Sequence, residues 1–457
     1  MPNKVFIHAF GCQMNKLDAE LALSALRRAG YEEAATPDEA DVALYNTCSV
    51  RAHAEERVYS NVGKLKSLKR RKPSLIIGIL GCMAQKDGEK IFERLPHVDL
   101  VCGTREFPRI AELIEEARRL SCARRSSGSA KSRADRVLAC SEEAAVSEAR
   151  EISVRPNRRR AFLGIMRGCD NYCAYCVVPF VRGPEISRPV AEVVDEAKRL
   201  ADDGCREITL LGQNVNSYGK SFTPSARALA DLLARLDKVA GLARVRFITS
   251  HPKDMSREIL EAVRDLPTVC EHLHMPAQSG SDRVLAAMNR RHTARGYRDL
   301  VALARELAPG IAIASDFIVG FPGETDAEFD ETAALLRDIR FQNSFVFKYS
   351  TRPGTAAAKL ADDVPWEEKR RRNLALLEIQ AAVNLEENRK FIGQEAEVLV
   401  EGPSRRDASR LTGRLRTNQI VVFEGPETLA GELVRVRVES ATPLTLAGTR
   451  TMDDGGR

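Results

Sequence analysis

Three cysteines fall within eight residues, Cys169, Cys173 and Cys176, after an apolar run that ends in Gly168 within the stretch LGIMRGCDNYCAYCVVPFVR at 163–182. The spacing C-x3-C-x2-C, on a loop leaving a strand, lets three soft thiolates face one centre, and thiolate sulfur selects iron-sulfur clusters or zinc. Either centre takes four ligands and this loop supplies three. The fourth position is then open to a small molecule, as in catalytic metal sites, or closed by a distant His or Cys. Thiols packed as small hydrophobes are the remaining reading.

A second set of thiols lies upstream. Cys12 follows Gly11 after KVFIHAF, Cys48 follows Asn46-Thr47 after DVALYN, and Cys82 follows Gly81 after LIIGIL. The separations are 36 and 34 residues, about one βα unit each, so all three thiols can converge on one sheet edge. Cys102 ends a fourth apolar run, VDLVC, and topology alone leaves it open as a further ligand.

The elements that must position these groups are legible in the hydrophobic pattern. Residues 1–121 alternate apolar runs with amphipathic stretches such as LDAELALSALRRAG, whose Gly30 is placed as a helix C-cap; this predicts an α/β domain with a doubly wound parallel sheet. Residues 122–157 are small, polar and charged and read as a linker. Within it SEEAAVSEAREIS is expected to be partly helical, and Cys122 and Cys140 to be exposed thiols. Residues 158–386 repeat a βα pattern with six strands, FLGIM, EITLLG, VRFITS, HLHMP, IAIASDFIVG and SFVFKYS, too few for an eight-fold barrel and suited to an open (βα)6 barrel. Its polar motifs fall after the strands: Gln213 and Asn214, Ser250 and His251, Gln278 and Ser279, Asp316, and Gly320 to Glu324. His251 and His274 read as structural histidines. After Trp366 and a basic helix, residues 387–452 alternate apolar and polar positions between glycine turns, the pattern of a small antiparallel β-barrel.

Composition narrows the function classes. The 457 residues hold 11 Cys, an odd number that suits metal chemistry in a reducing compartment better than a disulfide framework. No run of 18 or more apolar residues occurs and the start MPNKVFIHAF lacks the regions of a signal peptide, so a cytoplasmic protein without membrane contact is expected. Net charge is only +6, yet basic residues collect in KLKSLKRRK at 64–72, in RPNRRR at 155–160, and at Arg405, Arg406, Arg410, Arg414 and Arg416. Three such runs make a polyanion partner plausible; each alone reads as a solvated face.

Cys169, Cys173, Tyr175 and Cys176 match the C-x3-C-x-aromatic-C signature of the radical S-adenosylmethionine (SAM) superfamily, and FGCQMN, NTCSVR and GCMAQ resemble the three N-terminal cysteine motifs of its methylthiotransferase family. The tail resembles that family's RNA-binding TRAM domain. The resemblance implies two 4Fe-4S clusters, one on Cys169, Cys173 and Cys176 and one on Cys12, Cys48 and Cys82, and makes Cys102 structural. At the first, SAM would chelate the open iron and be cleaved reductively to a 5'-deoxyadenosyl radical. At the second, the methylthio unit would be carried, after methylation from another SAM. Tyr175, Gln213, Ser250, Gln278, Ser279, Asp316 and Gly320 are the positions assigned to SAM; no separate acid-base residue is assigned. IMRGCDNYCAYCVVPFVRG, LLGQNVNSYG, TSHPKD, LHMPAQSGSDRVLAAMNRR and FVFKYSTRPGTAA resemble the branch that adds a methylthio group to carbon 2 of N6-isopentenyladenosine at tRNA position 37. The implied partners are the tRNA anticodon loop and a flavodoxin- or ferredoxin-type electron donor, with the chain acting as a monomer. A methylthiotransferase acting on a ribosomal-protein aspartate or on threonylcarbamoyladenosine, and a non-enzymatic RNA-binding protein with zinc sites, are the alternatives.

Overall fold

The computed structural model describes residues 3–49, 52–127, 132–141, 150–222 and 227–451. The chain divides into two compact units, one of residues 1–156 with 167–170 and 176–185, the other of residues 157–166, 171–175 and 186–457.

In the first unit β1 (Lys4–Ala9), α1 (Gln13–Arg28), β2 (Glu32–Glu33), β3 (Val42–Thr47), α2 (Ala52–Arg71), β4 (Ile76–Gly81), α3 (Cys82–Asp87), α4 (Lys90–Arg94), β5 (Leu100–Cys102), α5 (Ile110–Ser127) and β6 (Val137–Ala139) follow one another. All strands are parallel, in the order β2-β1-β3-β4-β5-β6. β3 and β4 are buried at every residue, which is why VALYNT and IIGILG read as continuous rather than alternating runs. Helices α1 and α5 cover one face with Leu23, Leu26, Ile110, Leu113 and Ile114. α2 and α4 cover the other, α2 with Val58, Val62, Leu65 and Leu68 at helical spacing. Each such fully buried aliphatic side chain contributes about 1.5–3 kcal/mol. The sheet is therefore doubly wound as expected, Gly30 follows α1 with a positive φ of 85°, and the strand order turns back at β1/β3, where such sheets place their ligands.

The stretch expected as a linker is partly built into this unit. α5 continues to Ser127, and Val137–Ala139 pairs with Leu100–Cys102 as the sixth strand. Val154 enters the core beside α1 and α5. Three apolar residues in a polar setting are too short a run to register as a strand; the waiting edge of β5 makes them one. Residues 128–131 and 142–149, including most of the segment expected to be helical, lie outside the described residues. Cys122 is exposed as expected, but Cys140 is half-buried, its Sγ donating to the Ala84 carbonyl at 3.4 Å. Cys102 is fully buried in the core that α1 and α5 cover.

The second unit begins with β7 (Arg160–Gly164). After the two-residue strands β8 (Met166–Arg167) and β9 (Ile186–Ser187) and the one-turn helix α6 (Val178–Arg182) come α7 (Val190–Asp202), β10 (Glu207–Leu211), α8 (Ala228–Leu236), β11 (Arg244–Phe247), α9 (Arg257–Asp265), β12 (His272–His274), α10 (Asp282–Ala287), α11 (Ala294–Leu307), β13 (Ala312–Val319), α12 (Asp326–Ile339), β14 (Asn343–Lys348) and α13 (Trp366–Arg389). Of these, α6 lies in the first unit, and β8 has Met166 in the second unit and Arg167 in the first. β7, β10 and β11 pair in parallel, as do β12, β13 and β14. The halves meet through a Val245–Val269 bridge and the Ser250 N–H on the His274 carbonyl at 3.1 Å. The six expected strands thus form the open barrel. α12 starts at a capping box of Thr325 and Glu328, an arrangement worth about 1 kcal/mol. The free edge of β14 is covered by α13, where Asn373 and Gln380 donate to the carbonyls of Val346 and Phe341 at 2.8 Å each.

β15 (Glu395–Pro403), β16 (Arg410–Arg414), β17 (Ile420–Glu424), β18 (Leu433–Ala441) and β19 (Thr445–Arg450) close a five-stranded barrel around Val398, Val400, Phe423, Val436 and Leu446. It is not wholly antiparallel as expected, because β17 and β19 pair in parallel to complete the closure.

This small barrel is fixed to the floor of the large one, the amino ends of its strands, by buried arginines. Arg244 and Arg246 on β11 donate to the carbonyls of Arg414, Arg416 and Leu415. Glu207 at the start of β10 takes Arg246 Nε at 2.9 Å and Arg160 Nε at 2.8 Å, and Arg160 reaches Glu401. Arg416 grips Glu271 with two bonds of 2.7 and 2.8 Å. Of the five arginines counted toward a polyanion, Arg414 and Arg416 therefore face the floor, while Arg405 and Arg406 are exposed. The other basic runs are divided in the same way: Lys69 pairs with buried Asp99 at 2.7 Å and Arg155 is buried, while Lys64, Lys66, Arg158 and Arg159 are exposed.

Candidate functional site

Cys12 is the N-cap of the 16-residue helix α1, Cys48 follows β3 and Cys82 opens α3, so all three leave the carboxyl ends of adjacent strands. The approach is close. Gly11 has φ 110°, and a Cβ there would stand 2.3 Å from Cys48 Cβ. Only glycine lets the end of β1 pass Cys48 and present Cys12 beside it. Replacing Gly11 by Ala is expected to displace Cys48 and to remove the iron of this site while leaving all six thiols in place; iron and sulfide analysis of the reconstituted chain measures it.

The electrostatics act on the three thiols unequally. A hydrogen bond from Cys48, against burial and with help from the Arg182 charge, lowers the Cys12 thiol to about 6. Burial raises the Cys82 thiol, with Arg182 opposing. Arg182, itself 7% exposed, donates from Nε to Cys82 Sγ at 3.3 Å and clasps the buried Asp18 carboxylate with its other nitrogens. Five buried side-chain atoms in the same three motifs, Asn15 Nδ2, Asn46 Oδ1, Thr47 Oγ1, Ser49 Oγ and Gln85 Oε1, have no hydrogen-bond partner. Buried polar atoms are nearly always paired, and a sulfur-rich group among the thiols supplies acceptors for the amide and the two hydroxyls. Sulfur donors, a buried cation and orphaned donors together fit a 4Fe-4S cluster. Among the described residues no three His, Cys, Asp or Glu side chains are gathered to hold a single metal ion.

In the second triad, Gly168 (φ 77°) precedes Cys169, and a Cβ on it would lie 1.8 Å from the Pro184 carbonyl oxygen. The Cys169 N–H donates to the Gly183 carbonyl at 3.1 Å, and Cys176 Sγ accepts from the Val178 N–H at 3.4 Å. The middle of the loop is strapped to the end of α10: Ala174 N–H to Met288 O at 2.9 Å, and Asn289 Nδ2 to Tyr172 O at 2.9 Å. Buried Arg290 donates to Cys173 Sγ at 3.6 Å and to the Pro276 carbonyl at 2.8 Å. The AAMNRR motif thus holds the middle of the loop, residues 172–174, a charge-assisted bond to the Cys173 sulfur included.

The residues assigned to SAM lie at the carboxyl ends of the barrel strands, with different surroundings. Ser250 and Gln278 are buried, and Ser250 Oγ and Gln278 Oε1 lack partners, which leaves them for a ligand. Gln278 has φ 71° while its backbone bridges to β13. Asp316 is half-exposed on β13, and its Oδ1 lies 3.3 Å from Nε2 of His274, placing that histidine at the barrel mouth as well. Gln213 is half-buried after β10, and Tyr175 packs against the apolar cluster that includes Val284, Phe321 and Tyr349. Ser279 is buried, and its hydroxyl meets that of Thr332 of α12 at 3.2 Å. Gly320 (φ 68°) donates its N–H to Glu324 Oε2 at 2.6 Å, and Lys369 occupies the space of a Cβ. His251 is buried, its Nδ1 accepting the Lys253 N–H; burial, with Arg290 adding to it, lowers its pKa to about 2. Sequence reasoning passed over Arg182, Asp18 and Arg290. The available signal was an arginine inside the otherwise apolar VVPFVRG and a pair following AAMN, both close to thiols or their supports.

Residues 4–103 match the family described as Uncharacterized protein family UPF0004, residues 163–336 the radical SAM superfamily, and residues 389–450 the TRAM domain. Over nearly its whole length the chain is similar to proteins named tRNA-2-methylthio-N(6)-dimethylallyladenosine synthase. It is 45% identical to that of Rhodopirellula baltica over 98% of this chain and 95% of that one. It is 42% identical to that of Moorella thermoacetica over 97% of each. Among solved structures, the fold is shared with the radical SAM methyltransferase TsrM from Kitasatospora setae (TM-score 0.53, 14% identity, 78% of this chain and 74% of that one). The cobalamin-dependent radical enzyme OxsB shares it too (TM-score 0.54, 13% identity, 83% and 56%).

Proposed function

The chain belongs to the tRNA-2-methylthio-N(6)-dimethylallyladenosine synthases, radical SAM enzymes of the methylthiotransferase family, and from that premise we propose that it adds a methylthio group to carbon 2 of N6-isopentenyladenosine at tRNA position 37. The observation that carries this reading is the similarity, over nearly the whole chain, to relatives that bear that name, and two sets of three cysteines placed after strands support it. Cys169, Cys173 and Cys176 hold the cluster that takes SAM, and Cys12, Cys48 and Cys82 hold the auxiliary cluster. When bound, the clusters and SAM supply radical generation and a methylthio donor, chemistry that no protein side chain offers for an aromatic carbon-hydrogen bond. The chain's own residues hold, orient and shield. Arg290 steadies Cys173, Arg182 steadies Cys82, and Ser250 and Gln278 offer buried polar atoms to SAM. Gln213, Asp316, Tyr175, Ser279 and Gly320 shape the same mouth, the last two through backbone and packing.

The substrate side is an anticodon loop carrying isopentenyladenosine, gripped electrostatically by exposed Arg405 and Arg406 and by the cationic faces of α2 and residues 158–159. An external one-electron donor of the flavodoxin or ferredoxin type reduces the SAM cluster, and the enzyme works as a cytoplasmic monomer. No helix of the described residues is long and apolar enough to cross a membrane. Nucleoside analysis of tRNA from cells with and without the gene is the test. Loss of 2-methylthio-N6-isopentenyladenosine with accumulation of the unthiolated nucleoside is expected; unchanged tRNA with loss of a ribosomal-protein modification would replace this reading.

A further inference from the structure

Arg182 stands six residues beyond Cys176, on the one-turn helix α6, and the segment that carries it is part of the first unit. Its position is over-determined. The Val181 carbonyl accepts from Thr104 Oγ1 at 2.8 Å, Asp18 of α1 binds Nη1 at 3.2 Å and Nη2 through its second oxygen, and Nε is left to point at Cys82 Sγ at 3.3 Å. Arg182, Asp18 and Cys82 are 7%, 4% and 5% exposed, so the group is out of water. A buried arginine and aspartate held in a fork is costly to assemble and is weak evidence for stability by itself. What distinguishes this pair is the remaining N–H, aimed at a sulfur.

We infer that the Arg182–Asp18 pair sets the reduction potential of the auxiliary cluster, Arg182 as a positioning and charge-compensating residue on Cys82 and Asp18 as the counterweight that limits its effect. This rests on the reading of Cys12, Cys48 and Cys82 as cluster ligands. The physics is direct: an N–H donor on a ligating sulfur and a nearby positive charge both stabilise an added electron, and low solvent access strengthens the effect. Asp18 acts in the opposite sense. The two side chains therefore push one observable in opposite directions, which a purely structural ion pair would not do, since losing either half of such a pair disturbs the fold alike.

The test uses the full-length chain with Cys169, Cys173 and Cys176 all replaced by Ala, so that one cluster remains, and follows its midpoint by a redox titration monitored by electron paramagnetic resonance. Arg182→Gln is expected to move the midpoint to more negative potential, Arg182→Lys to move it less in the same direction, and Asp18→Asn to move it to more positive potential. An unmoved midpoint in Arg182→Gln, or a shift of the same sign in Arg182→Lys and Asp18→Asn, overturns the inference. If Arg182→Gln fails to assemble a cluster, the Arg182→Lys and Asp18→Asn pair decides by the sign of its two shifts. A parent chain that binds no iron overturns the ligand reading, and the inference with it; a parent that binds a cluster insensitive to these residues overturns the inference alone.

Discussion

Cys173→Ala is expected to reduce 5'-deoxyadenosine formation from SAM to that of the iron-free chain and to abolish methylthiolation, whereas Cys12→Ala abolishes methylthiolation and retains deoxyadenosine formation. The asymmetry follows from the two triads. On the proposed ligand assignment each triad would hold its cluster through three thiolates, so removal of one would leave two, and metal affinity that rests on deprotonated ligands would collapse. Cys173 is also the sulfur to which buried Arg290 donates at 3.6 Å, so its loss leaves a guanidinium facing an apolar methyl group. Cys12 belongs to the other set, at the N-cap of α1. Anaerobic assays that count deoxyadenosine and methylthio-nucleoside from the same reaction separate the two roles. Deoxyadenosine made by Cys173→Ala at the parent rate would sink the assignment of the SAM cluster, and its loss in Cys12→Ala would sink the division of labour.

What could be read from sequence was what depends on local pattern. The strands preceding Cys12, Cys48 and Cys82 are short apolar runs bounded by Gly or polar residues, and all three form at the expected places in a parallel sheet. The six barrel strands were legible for the same reason. What escaped depends on tertiary partners. Val137–Ala139 becomes a strand only because β5 has an open edge, and Cys140 is drawn inward with it. Charge counting treated Arg414 and Arg416 as solvated or RNA-facing, yet a run of arginines does not reveal which of them meets Glu401 and Glu271. Arg182 and Arg290 lie in quoted motifs but were passed over, since an arginine's burial is decided by residues far away in sequence, here Asp18 and Pro276. For Ser279, assigned to SAM from motif order, the sequence does not reveal that its hydroxyl also meets Thr332 of α12.

Glu207→Gln is expected to loosen the small C-terminal barrel from the floor of the large one at a cost of about 3–5 kcal/mol, the range found when one partner of a buried ion pair is removed. Glu207 is 1% exposed and stands between Arg246 at 2.9 Å and Arg160 at 2.8 Å, the first of which also holds the carbonyls of Leu415 and Arg416. Burial alone would raise its pKa, but Arg246 and Arg160 overcome it and hold the carboxyl at about 2, against an ordinary value of 4.5. A depressed carboxyl contributes stability that is fully present above pH 4.5 and is lost as pH falls toward 2. The shift corresponds to about 3 kcal/mol, the same order as the substitution. In the parent, hydrogen exchange at 207–211 and 414–419 should therefore rise between pH 4.5 and 2. In Glu207→Gln it should already be raised at pH 7 and keep only the part of the acid response that belongs to Glu271, whose pKa is lowered chiefly by Arg416 against the opposing effect of burial. Because the C-terminal barrel carries Arg405 and Arg406 at a fixed place relative to the floor, loosening it should raise the KM for tRNA more than it lowers kcat, with deoxyadenosine formation little affected. Equal protection of both segments in parent and variant at pH 7 would mean that packing, not this carboxylate, holds the two barrels together.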